Sequence, residues 1–179
     1  LLRLFGHEKV SVLDGGLKSW LARSGATETG PMTDASKGGF TVRAPVGAQM
    51  IPMDSLRQLV TLGVAGQIAD ARSAGRFAGT DPEPRAGLRG GHMPGASNVP
   101  IASLINQDGG LRSPEEIAAA FAAGGIETDR PVITTCGSGV TACGLALGLA
   151  LLGNENVFVY DGSWSEWGAS DAPVEASTP

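Results

Sequence analysis

Cysteine is scarce in this chain: two among 179 residues, Cys136 and Cys143. Two thiols make neither a disulfide framework nor a four-ligand zinc site, so no metal or other cofactor is expected. Free thiols also point to a reducing compartment, with the cytoplasm the expected location. Positive charge is short as well, with 13 Lys and Arg against 18 Asp and Glu and a net charge of −5. That balance denies the chain the basic face a nucleic-acid partner requires. A small acidic excess is ordinary solubility charge and names no partner. Long apolar runs are missing too. The best candidate, GLALGLALLG from Gly144, is too short to span a bilayer and fits a buried helix, so no membrane partner is expected. No signal-peptide pattern is visible, and the first residue is not Met.

What the chain does contain is a sentence written twice. VSVLDGGLKSW begins at Val10 and VFVYDGSWSEW at Val157, with Asp14 and Asp161 an offset of 147 residues apart. That spacing is longer than a solenoid repeat and about one domain long, which suggests two homologous domains in tandem, the first present only as its tail. The expected organisation is a domain tail over 1–27, a linker over 28–50 rich in Gly, Ser, Thr, Pro and Lys, a complete domain over 51–174, and a short tail over 175–179.

Within that domain, Asp54 is expected to cap a helix running to Leu62. Strands are expected at 67–70, 98–100, 131–135 and 157–160, with a helix near Ser103. Ser113-Pro114-Glu115-Glu116 combines a capping Ser, a Pro at the first helical position and a Glu at the third, a strong start for a helix to Ala123. In the domain tail 10–13 reads as a further strand, and in the linker 40–42 as β-like. Strands alternating with helices give an α/β fold with a central, mostly parallel sheet and helices on both faces. Ligands of such sheets bind beyond the carboxyl ends of the strands.

One of those ends carries TTCGSGVTACGL, a thiol at the end of a strand, a Gly-rich turn and a helix start. Gly137 and Gly139 let successive N–H groups turn toward one point. Those donors and the helix dipole favour a thiolate, which makes Cys136 a nucleophile; Ser138 and Thr141 add hydroxyls. Cys143 reads as ordinary helix packing. A cysteine phosphatase would also place a strand, Cys, loop and helix in this order, but it needs an Arg six residues on to grip phosphate. Here that residue is Ala142, which counts against the reading. Arg72, Arg76, Arg85 and Arg89 crowd the long loop after Asp70, against Asp81 and Glu83. Asp70 is expected to orient Arg72 or Arg76, and His92 to be structural. Asp161, Trp164, Glu166 and Trp167 are expected to serve as helix cap and packing groups.

The loop CGSGVTAC, the stretch DARSAGRFAGTDPEPRAGLRGGHMPGASNVP and the ending YDGSWSEWG together resemble the carboxy-terminal domain of the tandem rhodanese-type sulfurtransferases, in their 3-mercaptopyruvate-using branch. The resemblance covers about 51–174, and 1–30 is similar to the end of the family's amino-terminal domain. It implies that Cys136 carries sulfur as a persulfide, with Ser138 assisting. It also implies that Arg76 and Arg85 hold the carboxylate of 3-mercaptopyruvate, and that the loop residues Gly137, Gly139, Val140 and Thr141 cradle the reacting sulfur. The expected partners are a thiol acceptor such as thioredoxin and the amino-terminal rhodanese domain, from which the family draws a His and an Asp. A thiosulfate-using enzyme and a persulfide-relay module remain open as alternatives, although Gly137 and Ser138 stand where a thiosulfate enzyme carries basic residues.

Overall fold

A computed structural model describes residues 2–31, 38–43 and 49–176. The contacts divide the chain into two compact units, Leu1–Ala48 with Asn106–Leu111, and Gln49–Ile105 with Arg112–Pro179. Leu1, part of the expected linker (32–37 and 44–48) and the last three residues (177–179) lie outside the described residues.

The larger unit is built on four short parallel strands, β1 (Gln67–Asp70), β2 (Ala96–Asn98), β3 (Val132–Thr135) and β4 (Val157–Val159), in the order β2-β1-β3-β4. β3 is buried along its whole length, as the uninterrupted Val-Ile-Thr-Thr run requires of a central strand covered on both faces. Ile68 and Ile133 are register partners and point the same way, into a cluster with Leu56 and Val60 of α2 (Met53–Thr61) and Trp164 and Trp167 of α6 (Ser163–Trp167). Alternation sends Val132 and Thr134 to the opposite face. There α5 (Val140–Leu151) packs on β3 and β4, and meets α4 (Pro114–Ala123) and a 3-10 turn at Ile101–Leu104. The α/β class with helices on both faces is therefore the fold observed.

The helix start at Ser113 is as expected: Glu116 N–H donates to Ser113 Oγ, and Ser113 N–H to Glu116 Oε2 at 3.0 Å. Asp54 is not a cap. Pro52 takes that position and Asp54 falls inside the first turn, where its charge faces the helix dipole without a capping bond. The second strand ends at Asn98 rather than Pro100, because a proline has no N–H for the ladder, and the helix near Ser103 is one 3-10 turn. Tyr160 falls just outside β4, although its N–H still donates to Thr134 O.

In the smaller unit α1 (Gly16–Ala22) follows the Asp-Gly turn, but 10–13 and 40–42 form no strand. Among the described residues, Val10 N–H bonds back to Glu8 O, and the backbone bond near Phe40 runs from Arg43 N–H to Phe5 O. Alternating apolar residues become a strand only when a neighbour supplies a ladder.

The sheet order sets the position of the site. From β1 the chain moves outward to β2, then crosses back to β3 on the other side of β1, so the segments that leave the carboxyl ends of β1 and β3 pass to opposite faces of the sheet. Their last residues, Asp70 and Thr135, are register partners. The arginine loop leaves from one and Cys136 from the other, at the crevice where open parallel sheets bind ligands.

Candidate active site

Cys136 follows directly on β3 and is 1% exposed. Gly139, with φ of 84°, turns the loop into α5, and no other residue type fits there: a Cβ would lie 2.5 Å from Asp161 O. The turn brings Ser138 N–H to 3.4 Å from Cys136 Sγ. Burial pushes the thiol's pKa up. Donation from the Thr141 hydroxyl and the Ser138 and Ala142 N–H groups outweighs it and leaves Cys136 below the ordinary thiol value. We expect Thr141→Val to raise the midpoint of the pH–rate profile for alkylation of Cys136 by iodoacetamide. The thiolate would then appear only at higher pH, and an unmoved midpoint would remove Thr141 from the cradle.

Gly137, Gly139 and Thr141 thus form the cradle with Cys136. Ser138 contributes its N–H, while its side chain is exposed at the rim, and Val140 projects outward at 74% exposure. Cys143 is exposed rather than packed, with burial of its surroundings raising its pKa. On a helix only one face meets the core, and Ala142 and Leu145 hold that face here.

The turn Asp161–Trp167 lies under the loop and supplies two residues the sequence reading passed over. Ser163 is fully buried: its Oγ accepts from Cys136 N–H at 3.1 Å, donates to Tyr160 O at 2.9 Å and lies 3.9 Å from Cys136 Sγ. Ser165 Oγ donates to Gly137 O at 2.6 Å and accepts from Arg85 Nη1. Trp164 and Ser165 N–H groups donate to the carbonyls of Cys136 and Gly137. A signal for Ser163 was present in the repeat. The first copy has Gly16 at that place with φ of 57°, and Ser163 holds φ of 49°, a strained value for a side-chain-bearing residue. Asp161 is not the helix cap, since Gly162 takes that position without a side-chain bond. Glu166 accepts from Tyr160 OH at 2.7 Å, and the two tryptophans are packing groups as expected.

The arginines divide by partner. Arg72 is buried: it grips Asp70 through Nε and Nη2, gives Nη1 to Glu83 at 2.9 Å, and stacks 4.0 Å over the Trp164 ring. Asp70 therefore orients Arg72. Arg76 bonds Glu83 as well, at 2.6 Å, and reaches over Gly137, where a Cβ would lie 2.8 Å from Arg76 Nη2. Arg85 is exposed and attached to the loop through Ser165. Arg89 donates to the carbonyls of Trp167 and Gly168 and takes no part in the cradle. His92 is structural: Nδ1 lies 2.8 Å from O of Phe77, on the short helix α3 (Ala74–Ala78), with the ring stacked on Phe77.

A buried thiol in a cradle of donors, flanked by two guanidinium groups, is an arrangement for a nucleophilic sulfur attacking a small anion. The rhodanese-like domain model matches residues 53–170, and the chain belongs to that family. It is 45% identical over 176 residues to 3-mercaptopyruvate sulfurtransferase of Escherichia coli, covering 98% of this chain and 61% of that protein. It is 40% identical over 168 residues to thiosulfate sulfurtransferase of Rattus norvegicus, covering 93% and 56%. The crystal structure of SseA from Escherichia coli, a 3-mercaptopyruvate sulfotransferase, superposes with a TM-score of 0.75 at 40% identity, covering 92% of this chain and 60% of that one. The chain thus spans little more than half the length of these relatives. Among the described residues no helix is long and apolar enough to cross a membrane.

Proposed function

We propose that this chain carries the sulfur-transfer site of a 3-mercaptopyruvate sulfurtransferase, with Cys136 as the sulfur carrier. The observation that carries the reading is the Cys136 thiol, its pKa lowered by loop donors, beneath two guanidinium groups of which one reaches over Gly137. The Cys136 thiolate attacks the thiol sulfur of 3-mercaptopyruvate. The carbon–sulfur bond breaks and its electron pair stays on carbon as the enolate of pyruvate, which takes a proton and leaves. Arg76 and Arg85 hold the carboxylate, and Ser138, at the rim, assists the proton transfer. An acceptor thiolate, such as that of thioredoxin, or cyanide in an assay, then attacks the outer persulfide sulfur and frees the Cys136 thiolate. Gly137, Gly139 and Thr141 of the cradle line the path of that sulfur together with the backbone of Val140, whose side chain points away, and a cytoplasmic setting would keep the thiols reduced.

Thiosulfate is the second reading, favoured by the identity to the rat enzyme. The loop argues against it. Gly137 and Ser138 add no positive charge for a dianion, whereas a singly charged 2-oxo acid needs only the arginines. The test is pyruvate release from 3-mercaptopyruvate against thiocyanate formation from thiosulfate. Both are measured on the chain alone and joined to an amino-terminal rhodanese unit, the partner proposed for it. A thiosulfate preference in both forms would overturn the choice of donor. Arg76→Ala and Arg85→Ala should each raise KM for 3-mercaptopyruvate by roughly tenfold or more, the effect of losing one charge-assisted contact. An unchanged KM would take that arginine out of the site.

A further inference from the structure

A guanidinium offers a carboxylate two edges: a side edge formed by Nε and one terminal nitrogen, and an outer edge formed by the two terminal nitrogens. In Arg76 the side edge is taken. Nε donates to Glu83 Oε1 at 3.3 Å and Nη2 to Oε2 at 2.6 Å. Glu83 is itself fixed, since Oε1 also accepts from Arg72 Nη1 and its side chain is 2% exposed. Arg72 is anchored in turn on Asp70, at the end of β1. The outer edge of Arg76 remains, and it lies over the active loop: a Cβ built on Gly137 would stand 2.8 Å from Nη2 and 3.5 Å from Nη1.

We infer that Glu83 is a positioning residue for donor recognition, gripping the side edge of Arg76 so that its outer edge faces the carboxylate of an acid bound above Cys136. The inference rests on the reading of Arg76 as a donor ligand given above. It also gives a part to the glycine at position 137, whose missing side chain leaves room for Arg76. Gly137 has no left-handed φ, so its backbone would tolerate alanine. The obstacle is the methyl group, which would meet an arginine that Glu83 does not allow to swing aside. In charge the Asp70–Arg72–Glu83–Arg76 chain is balanced, and its function is aim rather than added positive potential. Asp161, beside Gly139 on the other side of the loop, adds none either.

The test compares alkylation of Cys136 by iodoacetate, a small monocarboxylate, with alkylation by its neutral counterpart iodoacetamide. Glu83→Asp keeps the charge but shortens the reach, so the carboxylate cannot span both arginines. We expect the iodoacetate-to-iodoacetamide rate ratio to fall about tenfold, the effect of one misplaced charge-assisted contact, while the iodoacetamide rate holds. Gly137→Ala should lower the ratio in the native background and lower it much less in Glu83→Asp, because an unpinned Arg76 can yield. An unchanged ratio in Glu83→Asp, or an equal fall with both reagents, would overturn the inference. Should Glu83→Asp fail to fold, Gly137→Ala decides alone, and an unmoved ratio there shows an Arg76 free to move. Alkylation needs no turnover. Absent 3-mercaptopyruvate activity with the expected ratios would therefore sink the proposed function and leave the aiming intact, whereas activity with unmoved ratios would do the reverse.

Discussion

Cys136→Ser is expected to reduce sulfur transfer to background while leaving the fold intact. The change replaces one buried atom by a smaller one in a cradle whose bonds are made by neighbouring backbone and hydroxyl groups, so packing changes little. Chemically it removes everything: a serine hydroxyl in this loop is neither ionised at neutral pH nor able to hold a transferable outer sulfur. Cys143→Ser is the control. Its thiol is exposed on α5, its pKa is raised, and nothing in the loop bonds to it. Mass spectrometry after incubation with donor should find one added sulfur on native protein and on Cys143→Ser, and none on Cys136→Ser. Sulfur loaded onto Cys143, or turnover surviving in Cys136→Ser, would remove Cys136 from the chemistry.

The placement of Cys136 was legible in the sequence because its signal is local: strand, thiol, two glycines and helix start all lie within ten residues. The supports of the loop were not legible, because they are 27 and 29 residues further on. Ser163 and Ser165 belong to a turn that pattern alone assigns to packing. The repeat held a clue in its difference, serine where the first copy has glycine. A residue accepting about 1–2 kcal/mol of left-handed strain is one the site holds for a reason. Arg72 shows the opposite difficulty. In sequence it is one of four arginines in a polar loop, and such charges are usually solvated. Asp70, two residues away, was within reach of the sequence, but only the fold adds Glu83 and the Trp164 ring and makes the burial of Arg72 possible. The expected strand at 10–13 failed for a related reason, since alternation specifies a face but not a neighbour.

Trp164 is where stability and site meet, and Trp164→Ala is expected to be the most destabilising single change in this region. The side chain is fully buried within the cluster of Leu56, Ile68, Met93, Ile133 and Tyr160, and truncating a large aromatic in such a core costs about 3–5 kcal/mol. Two further losses act in the same direction. The indole N–H donates to Arg89 O at 2.8 Å, and that carbonyl loses its recorded partner. Arg72 lies 4.0 Å above the ring and would lose a desolvated cation–π contact worth about 2 kcal/mol, loosening the anchor of the arginine chain. The backbone bond from residue 164 to Cys136 O survives, so whatever protein folds should retain a reactive thiol. Urea denaturation should show Trp164→Ala losing a large share of total stability and Trp164→Phe losing distinctly less, since phenylalanine keeps most of the buried area and gives up only the indole bond. In folded Trp164→Ala the iodoacetamide rate at Cys136 should hold while the preference for iodoacetate weakens, because the ring supports the arginines rather than the thiol. A cost below about 1 kcal/mol would mean that the surrounding core closes over the cavity, and that Arg72 is held by Asp70 and Glu83 without the ring.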